Sequence, residues 1–73
     1  MRAGRRLRTW EEIVGNLRDV RLRDGHLELV FETVLIISDF DENLLTILKK
    51  MVGHTVAILK TDDGKYKIRQ VME

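Results

Sequence analysis

The chain has 73 residues, which is enough for one small domain, and no apolar run approaches the roughly 20 residues that cross a bilayer. It has no cysteine, which excludes disulfide bonds, thiolate metal ligands and thiol catalysis. The net charge of +1 is segregated: residues 1–23 carry seven basic and three acidic side chains, residues 24–48 carry six acidic and no basic ones, and residues 49–73 carry six basic and three acidic ones.

The first elements in chain order are a basic arm and a short helical turn. We expect residues 1–8 to form a flexible basic arm, and residues 9–73 to form a single α+β domain. Because no apolar segment follows the arm, we expect no secretory signal and predict a cytoplasmic protein. Thr9 and Glu12 have the spacing of a capping box, which predicts a helical turn that ends at Gly15. Because a turn this short is not stable alone, we expect Trp10 to pack it against the core.

A hairpin follows the helical turn. Apolar and polar residues alternate over residues 17–23 and 27–32, and Asp24-Gly25 between them is a pair favoured in two-residue turns. The apolar residues 34–37 predict a further buried strand. Since no Gly, Asn or Pro separates them from the hairpin, there is either a tight turn at Glu32-Thr33 or one long bent strand over residues 26–38. We favour the bent strand.

The sequence of the second half of the chain predicts a helix and a second hairpin. Asp41 is the predicted N-cap of an amphipathic helix that ends at Gly53, and its apolar stripe predicts a face that packs on the core. Alternation over residues 54–61 and 65–71, with Asp62-Asp63-Gly64 between them, predicts two more strands.

This order predicts an α+β, mostly β domain. We expect a small antiparallel barrel or sheet of 4–5 strands, OB-like or SH3-like, with a short N-terminal helical turn. The amphipathic helix is expected between the third and fourth strands. A flat four-stranded sheet with the helix on one face is the competing arrangement.

No motif in the sequence indicates catalysis or a cofactor. The single serine, Ser38, belongs to no recognisable catalytic motif, and the glycines are too dispersed for a phosphate-binding loop. His26 and His54 lack partners at metal-ligand spacing. We therefore expect a non-catalytic binding module with no metal site and no cofactor.

The expected binding surface is basic. If Tyr66 and Ile68 face inward, the cations of the last strand lie on its outer face, and two arginines lie similarly on the first strand. Such cations could follow a phosphate backbone or contact an acidic protein. The candidate residues are Arg21, Arg23, Lys65, Lys67 and Arg69.

Part of the chain resembles the Sm-type RNA-binding barrel. Residues 15–25, GNLRDVRLRDG, follow the rhythm of the first motif of that family, Asp39 and Asn43 have its Asp-to-Asn spacing, and Ile68-Arg69 stands where its Ile-Arg-Gly occurs. The interval from Gly25 to Asp39 is longer than in the family, and Gln70 replaces the glycine. A predicted helix also occupies residues that are strand in the family, so no RNA-contacting role is carried over.

The alternative function is a homodimeric interaction or scaffold domain without nucleic-acid binding. The apolar residues of the predicted bent strand exceed what one helix covers, and open strand edges invite pairing with a second copy. The predicted dimer interface contains Val30, Val34 and Ile36.

Overall fold

The computed structural model describes residues 4–71 of the chain, and the chain is α+β and mostly β over that range. It contains, in order, β1 (Glu12–Asn16), β2 (Asp19–Arg23), β3 (His26–Val30), β4 (Val34–Ile37), α1 (Glu42–Lys50), β5 (Thr55–Lys60) and β6 (Tyr66–Gln70). The strands form two antiparallel sheets of three. We call the sheet with the order β2-β3-β4 sheet A, and the sheet with the order β1-β5-β6 sheet B.

The prediction of a small barrel with the helix between the third and fourth strands is wrong. Within residues 4–71 the strands form two separate sheets with no closed barrel, and α1 lies between the fourth and fifth strands. The count differs because a strand, β1, occupies the residues for which a helical turn was predicted. Every later strand therefore moves one place along the order.

The predicted N-terminal helical turn is also wrong. β1 pairs with β5 over its whole length, with Ile13 opposite Ile58. A helix of one or two turns is too short to be stable alone, whereas pairing with β5 satisfies the backbone groups of β1 that face β5 and packs Ile13 against the core. The local capping pattern is overridden by this long-range pairing.

β1 and β2 are joined by a bend that connects the two sheets. Leu17 donates its N–H to the His54 carbonyl, which lies just before β5. The next residue, Arg18, donates to the Val30 carbonyl of β3 on the other side. In the β2–β3 register Val30 lies opposite Asp19, so the bond from Arg18 is displaced by one residue. This displacement is typical of a β-bulge, and bulges bend a strand. The bend lets the chain pass from sheet B to sheet A.

Residues 26–38 form two strands, so the favoured bent strand is wrong and the tight turn is what the chain adopts. Val30 pairs with Val34, and Phe31 donates its N–H to the Thr33 carbonyl. Phe31 is buried against Gly15, where an added Cβ would lie 3.2 Å from the ring. Burial of this side chain holds a turn that contains no glycine.

The predicted helix is present as α1. The Asp41 carboxylate accepts a hydrogen bond of 2.8 Å from the Leu44 N–H, as expected of an N-cap. Leu48 is fully buried, and Gly53, at φ 93°, lies just beyond the C-terminal end of the helix.

Both sheets contribute one face to a common core. The fully buried side chains come from sheet A, sheet B, α1 and the bend; they include Leu17, Leu27, Leu29, Leu35, Ile37, Leu48, Val56 and Ile58. Because side chains alternate along a strand, the residues between these lie on the opposite face of each sheet. We call these opposite faces the outer face of sheet A and the outer face of sheet B.

Candidate functional site

The outer face of sheet B is an apolar strip bordered by charges. The register places Leu59 between Glu12 and Lys67, and Ala57 between Val14 and Arg69. Val14 is 54% exposed and Leu59 is half-buried. A shallow depression on this face is lined by Glu12, Ala57, Leu59, Lys67 and Arg69. The face combines the exposed Val14 and the half-buried Leu59 with cations along one border, while Ala57 on the central strand is buried.

The cations on this border come from β6. Tyr66 and Ile68 pack against the core, so the side chains that alternate with them, on Lys67 and Arg69, lie on the outer face. Both are exposed, and Lys65, which precedes β6, is exposed as well. The sequence-based condition that Tyr66 and Ile68 face inward is therefore met.

Glu12, on the opposite border, makes only a weak pair with Arg69. Glu12 Oε2 lies 4.0 Å from Arg69 Nη2, and the two side chains are 41% and 67% exposed. Solvent-exposed pairs of this kind contribute little to stability, because water screens the charges. Arg69 is therefore free to exchange this carboxylate for another anion.

An exposed tryptophan lies at the end of the same sheet. Trp10 is 61% exposed. Its backbone N–H donates a 2.6 Å hydrogen bond to the Lys60 carbonyl at the end of β5. Its φ of 65° lies in the left-handed region, which bulky residues rarely adopt. The sequence interpretation assigned Trp10 to core packing, and its accessibility was missed. Ile13 and Val14 are β-branched and favour a strand over a helix at this position. This preference could have indicated that Trp10 is not held in the core by a helical turn.

The two arginines of β2 lie on a different surface. Arg21 and Arg23 are on the outer face of sheet A, opposite Glu28 and His26 respectively. Arg21 Nε is 3.0 Å from Asp19 Oδ2. The hydrogen bond from Arg21, followed by one from the Val20 N–H, holds the pKa of Asp19 below its usual value. The five predicted binding residues therefore divide into two groups, and the structure does not bring them together.

The predicted dimer residues are half-buried on the outer face of sheet A. Val30 and Val34 are cross-strand partners, and Ile36 is opposite Glu28. A Cβ added to Gly4 would lie 2.2 Å from Ile36 Cδ1, so the N-terminal segment already packs on this side chain. That these residues form an interface stays a prediction.

Residues 4–8 of the basic arm lie along β4. Arg5 exchanges backbone hydrogen bonds with Val34 and Ile36, and Leu7 is buried in the core. The Arg5 guanidinium pairs with Glu11. Residues 1–3, which include Arg2, lie outside the described residues.

Residues 4–71 contain neither a metal-binding cluster nor a membrane-spanning helix. No group of three or more His, Cys, Asp or Glu side chains in this range could hold a metal ion. The single helix there is too short and too polar to cross a membrane.

Comparison with protein-family models, with curated proteins and with solved structures found no match to this chain.

The turn before β6 gives a testable pH dependence. The Thr61 hydroxyl donates to the Asp63 carboxylate, and the Lys65 N–H donates to it at 3.2 Å; these bonds hold the pKa of Asp63 below its usual 3.8. Since the folded-state pKa is lower than the unfolded one, the stabilisation is complete above the unfolded value and is lost as the pH falls through the folded value. Asp63→Asn should therefore reduce the loss of stability below about pH 4, as measured by urea midpoints at several pH values. Parallel curves for the two proteins would contradict this role.

Proposed function

We propose that this chain is a non-catalytic module that binds single-stranded nucleic acid through the outer face of sheet B. The observation that carries the proposal is the exposed Trp10 at the end of a sheet whose outer border holds Lys67 and Arg69. Proteins that bind single strands combine a cationic track for the backbone with aromatic rings on which bases stack. Both components are accessible here on one sheet.

The cationic track follows from the alternation along β6. Lys65, Lys67 and Arg69 are two residues apart, so at about 3.3 Å per residue they form a row about 13 Å long. Within residues 4–71 none of the three is part of a close ion pair, and Arg69 has only the 4.0 Å contact with Glu12 there. A row of this length suits successive phosphates of an extended strand.

Trp10 supplies the stacking surface. Its backbone is bonded to the end of β5, and β6 is the next strand of the sheet. At about 4.8 Å between neighbouring strands, the Trp10 backbone lies roughly 10 Å from the backbone of Lys65, the nearest cation of the row. A base unstacked from its neighbours could therefore reach the indole while its flanking phosphates contact β6.

Trp10 also favours nucleic acid over an acidic protein as the partner. An acidic peptide would use the cations of β6 but has no planar group that requires an exposed indole. Every base has a π-face, so stacking adds affinity without sequence preference.

The test is a titration with a labelled single-stranded oligonucleotide at several salt concentrations. Three phosphate contacts predict that log K falls with log salt with a slope of about −2, since single strands contribute about −0.7 per contact. Lys67→Ala should weaken binding and reduce the slope by about 0.7. Lys50→Ala is the matched control, because it removes an exposed cation from α1, which belongs to neither sheet. Absence of binding at low salt, or an equal loss with Lys50→Ala, would overturn the proposal.

A further inference from the structure

β2 is an edge strand with an open side. Sheet A has the order β2-β3-β4, and the hydrogen bonds of β4 continue to Arg5, whereas within residues 4–71 no strand pairs with the other side of β2. Arg21, Leu22 and Arg23 are all exposed. Open edges present unpaired N–H and C=O groups that can pair with another strand.

The β2–β3 turn determines which backbone groups of β2 point away from β3. Asp24 and Gly25, at φ 51° and 80°, form a two-residue turn, so the flanking Arg23 and His26 are a hydrogen-bonded pair. Hydrogen-bonded and non-bonded pairs alternate along an antiparallel ladder, so the N–H and C=O groups of Val20 and Leu22 face away from β3. The Val20 N–H accordingly donates to the Asp19 carboxylate at 2.9 Å and not to β3.

We infer that this edge pairs with β2 of a second copy of the chain, in antiparallel orientation about a two-fold axis at Arg21. The sequence of β2, DVRLR, is complementary to itself in this arrangement. Asp19 lies opposite Arg23 of the other copy, and Val20 lies opposite Leu22. The symmetry repeats each pair, as in every two-fold interface.

Two features of the free chain support this register over its neighbours. Leu22 is 59% exposed although it lies on the core-facing side of β2, and the opposing Val20 would cover it. Shifting the register by two residues in either direction places Leu22 opposite Arg18 or opposite another Leu22, and it removes the pairing of Asp19 with Arg23. The two Arg21 side chains meet at the axis, where each is held by its own Asp19 at 3.0 Å.

The result is one continuous sheet of six strands, β4-β3-β2-β2-β3-β4, across the dimer. Its interface is the edge of sheet A and not the face that contains Val30, Val34 and Ile36. Because sheet B contributes nothing to it, both copies keep the outer face of sheet B accessible. The inference is therefore independent of nucleic-acid binding.

The test is light scattering coupled to size-exclusion chromatography, from micromolar to millimolar protein. The wild type should reach twice the chain mass of 8.6 kDa. Arg23→Asp and Leu22→Lys should each raise the dissociation constant by about tenfold or more, because symmetry places each change at the interface twice. Lys67→Asp is the matched control, since it reverses an exposed cation on the other sheet, and it should leave the dimer unchanged.

Two results would overturn the inference: a monomer at every concentration, and a dimer that neither β2 variant weakens. In the second case, loss of the dimer with Val34→Lys would place the interface on the outer face of sheet A. Circular dichroism of each variant checks that the fold is retained, and the two different β2 substitutions separate loss of pairing from loss of folding.

Discussion

Replacing Ile58 with alanine is expected to lower the free energy of unfolding by about 2–5 kcal/mol. Ile58 is fully buried in β5, the central strand of sheet B, where its cross-strand partners are Ile13 and Ile68. Truncation leaves a cavity between two rigid neighbours in addition to the lost apolar burial. A domain of this length has a total stability of roughly 4–11 kcal/mol, so this single change would remove a large part of it.

Urea unfolding checks this expectation. The midpoint should fall while the slope with denaturant stays constant, since the unfolded chain exposes nearly the same surface. Val14→Ala on the same sheet is the control: Val14 is 54% exposed, so its loss should cost less than about 1 kcal/mol. If the two variants lose the same free energy of unfolding, Ile58 does not lie in the core.

Replacing Trp10 with alanine is expected to weaken single-stranded oligonucleotide binding by about 1–3 kcal/mol, or roughly 5- to 150-fold in the dissociation constant. The reason is the loss of a stacking surface that is already exposed in the free protein, so the change should leave the fold intact. Fluorescence anisotropy of a labelled oligonucleotide measures the effect.

Two further observations make the Trp10 test specific. Trp10→Phe keeps an aromatic face and should lose less affinity than Trp10→Ala. Trp10 is also the single tryptophan of the chain, so its intrinsic fluorescence in the wild type should be quenched as bases stack on it. Full affinity in Trp10→Ala, or unchanged fluorescence at saturation, would exclude Trp10 from the interface.

The parts of the fold that were predictable from sequence are those with local determinants. Asp24-Gly25 and Asp63-Gly64 mark turns because each pair has a glycine at positive φ, and the strands on either side pair as expected. Asp41 marks the start of α1 because its side chain caps the helix. These signals depend on neighbouring residues, and they act in the same way in any fold.

The parts that were not predictable depend on residues far apart in the chain. Thr9 and Glu12 suit a helix start, yet pairing of β1 with β5, more than 40 residues later, decides the outcome. The turn between β3 and β4 has no glycine, and it depends on Phe31 packing against Gly15. Neither contact is visible in a local pattern.

The candidate site was predictable in part for the same reason. Alternation alone placed Lys67 and Arg69 on one side of β6. Which sheet each strand joins is a long-range property, so the separation of Arg21 and Arg23 from this group could not be anticipated. Trp10 was assigned to the core because the helical turn expected there would have required it.

The most direct test of nucleic-acid binding through sheet B is an amide chemical-shift titration of the ¹⁵N-labelled protein with a single-stranded oligonucleotide. We expect the largest changes at the Trp10 indole and along β6 and β5, with Lys67, Arg69 and Leu59 among them, and little change in β3. Changes confined to sheet A, or none at all at low salt, would contradict the proposal that the outer face of sheet B is the binding surface.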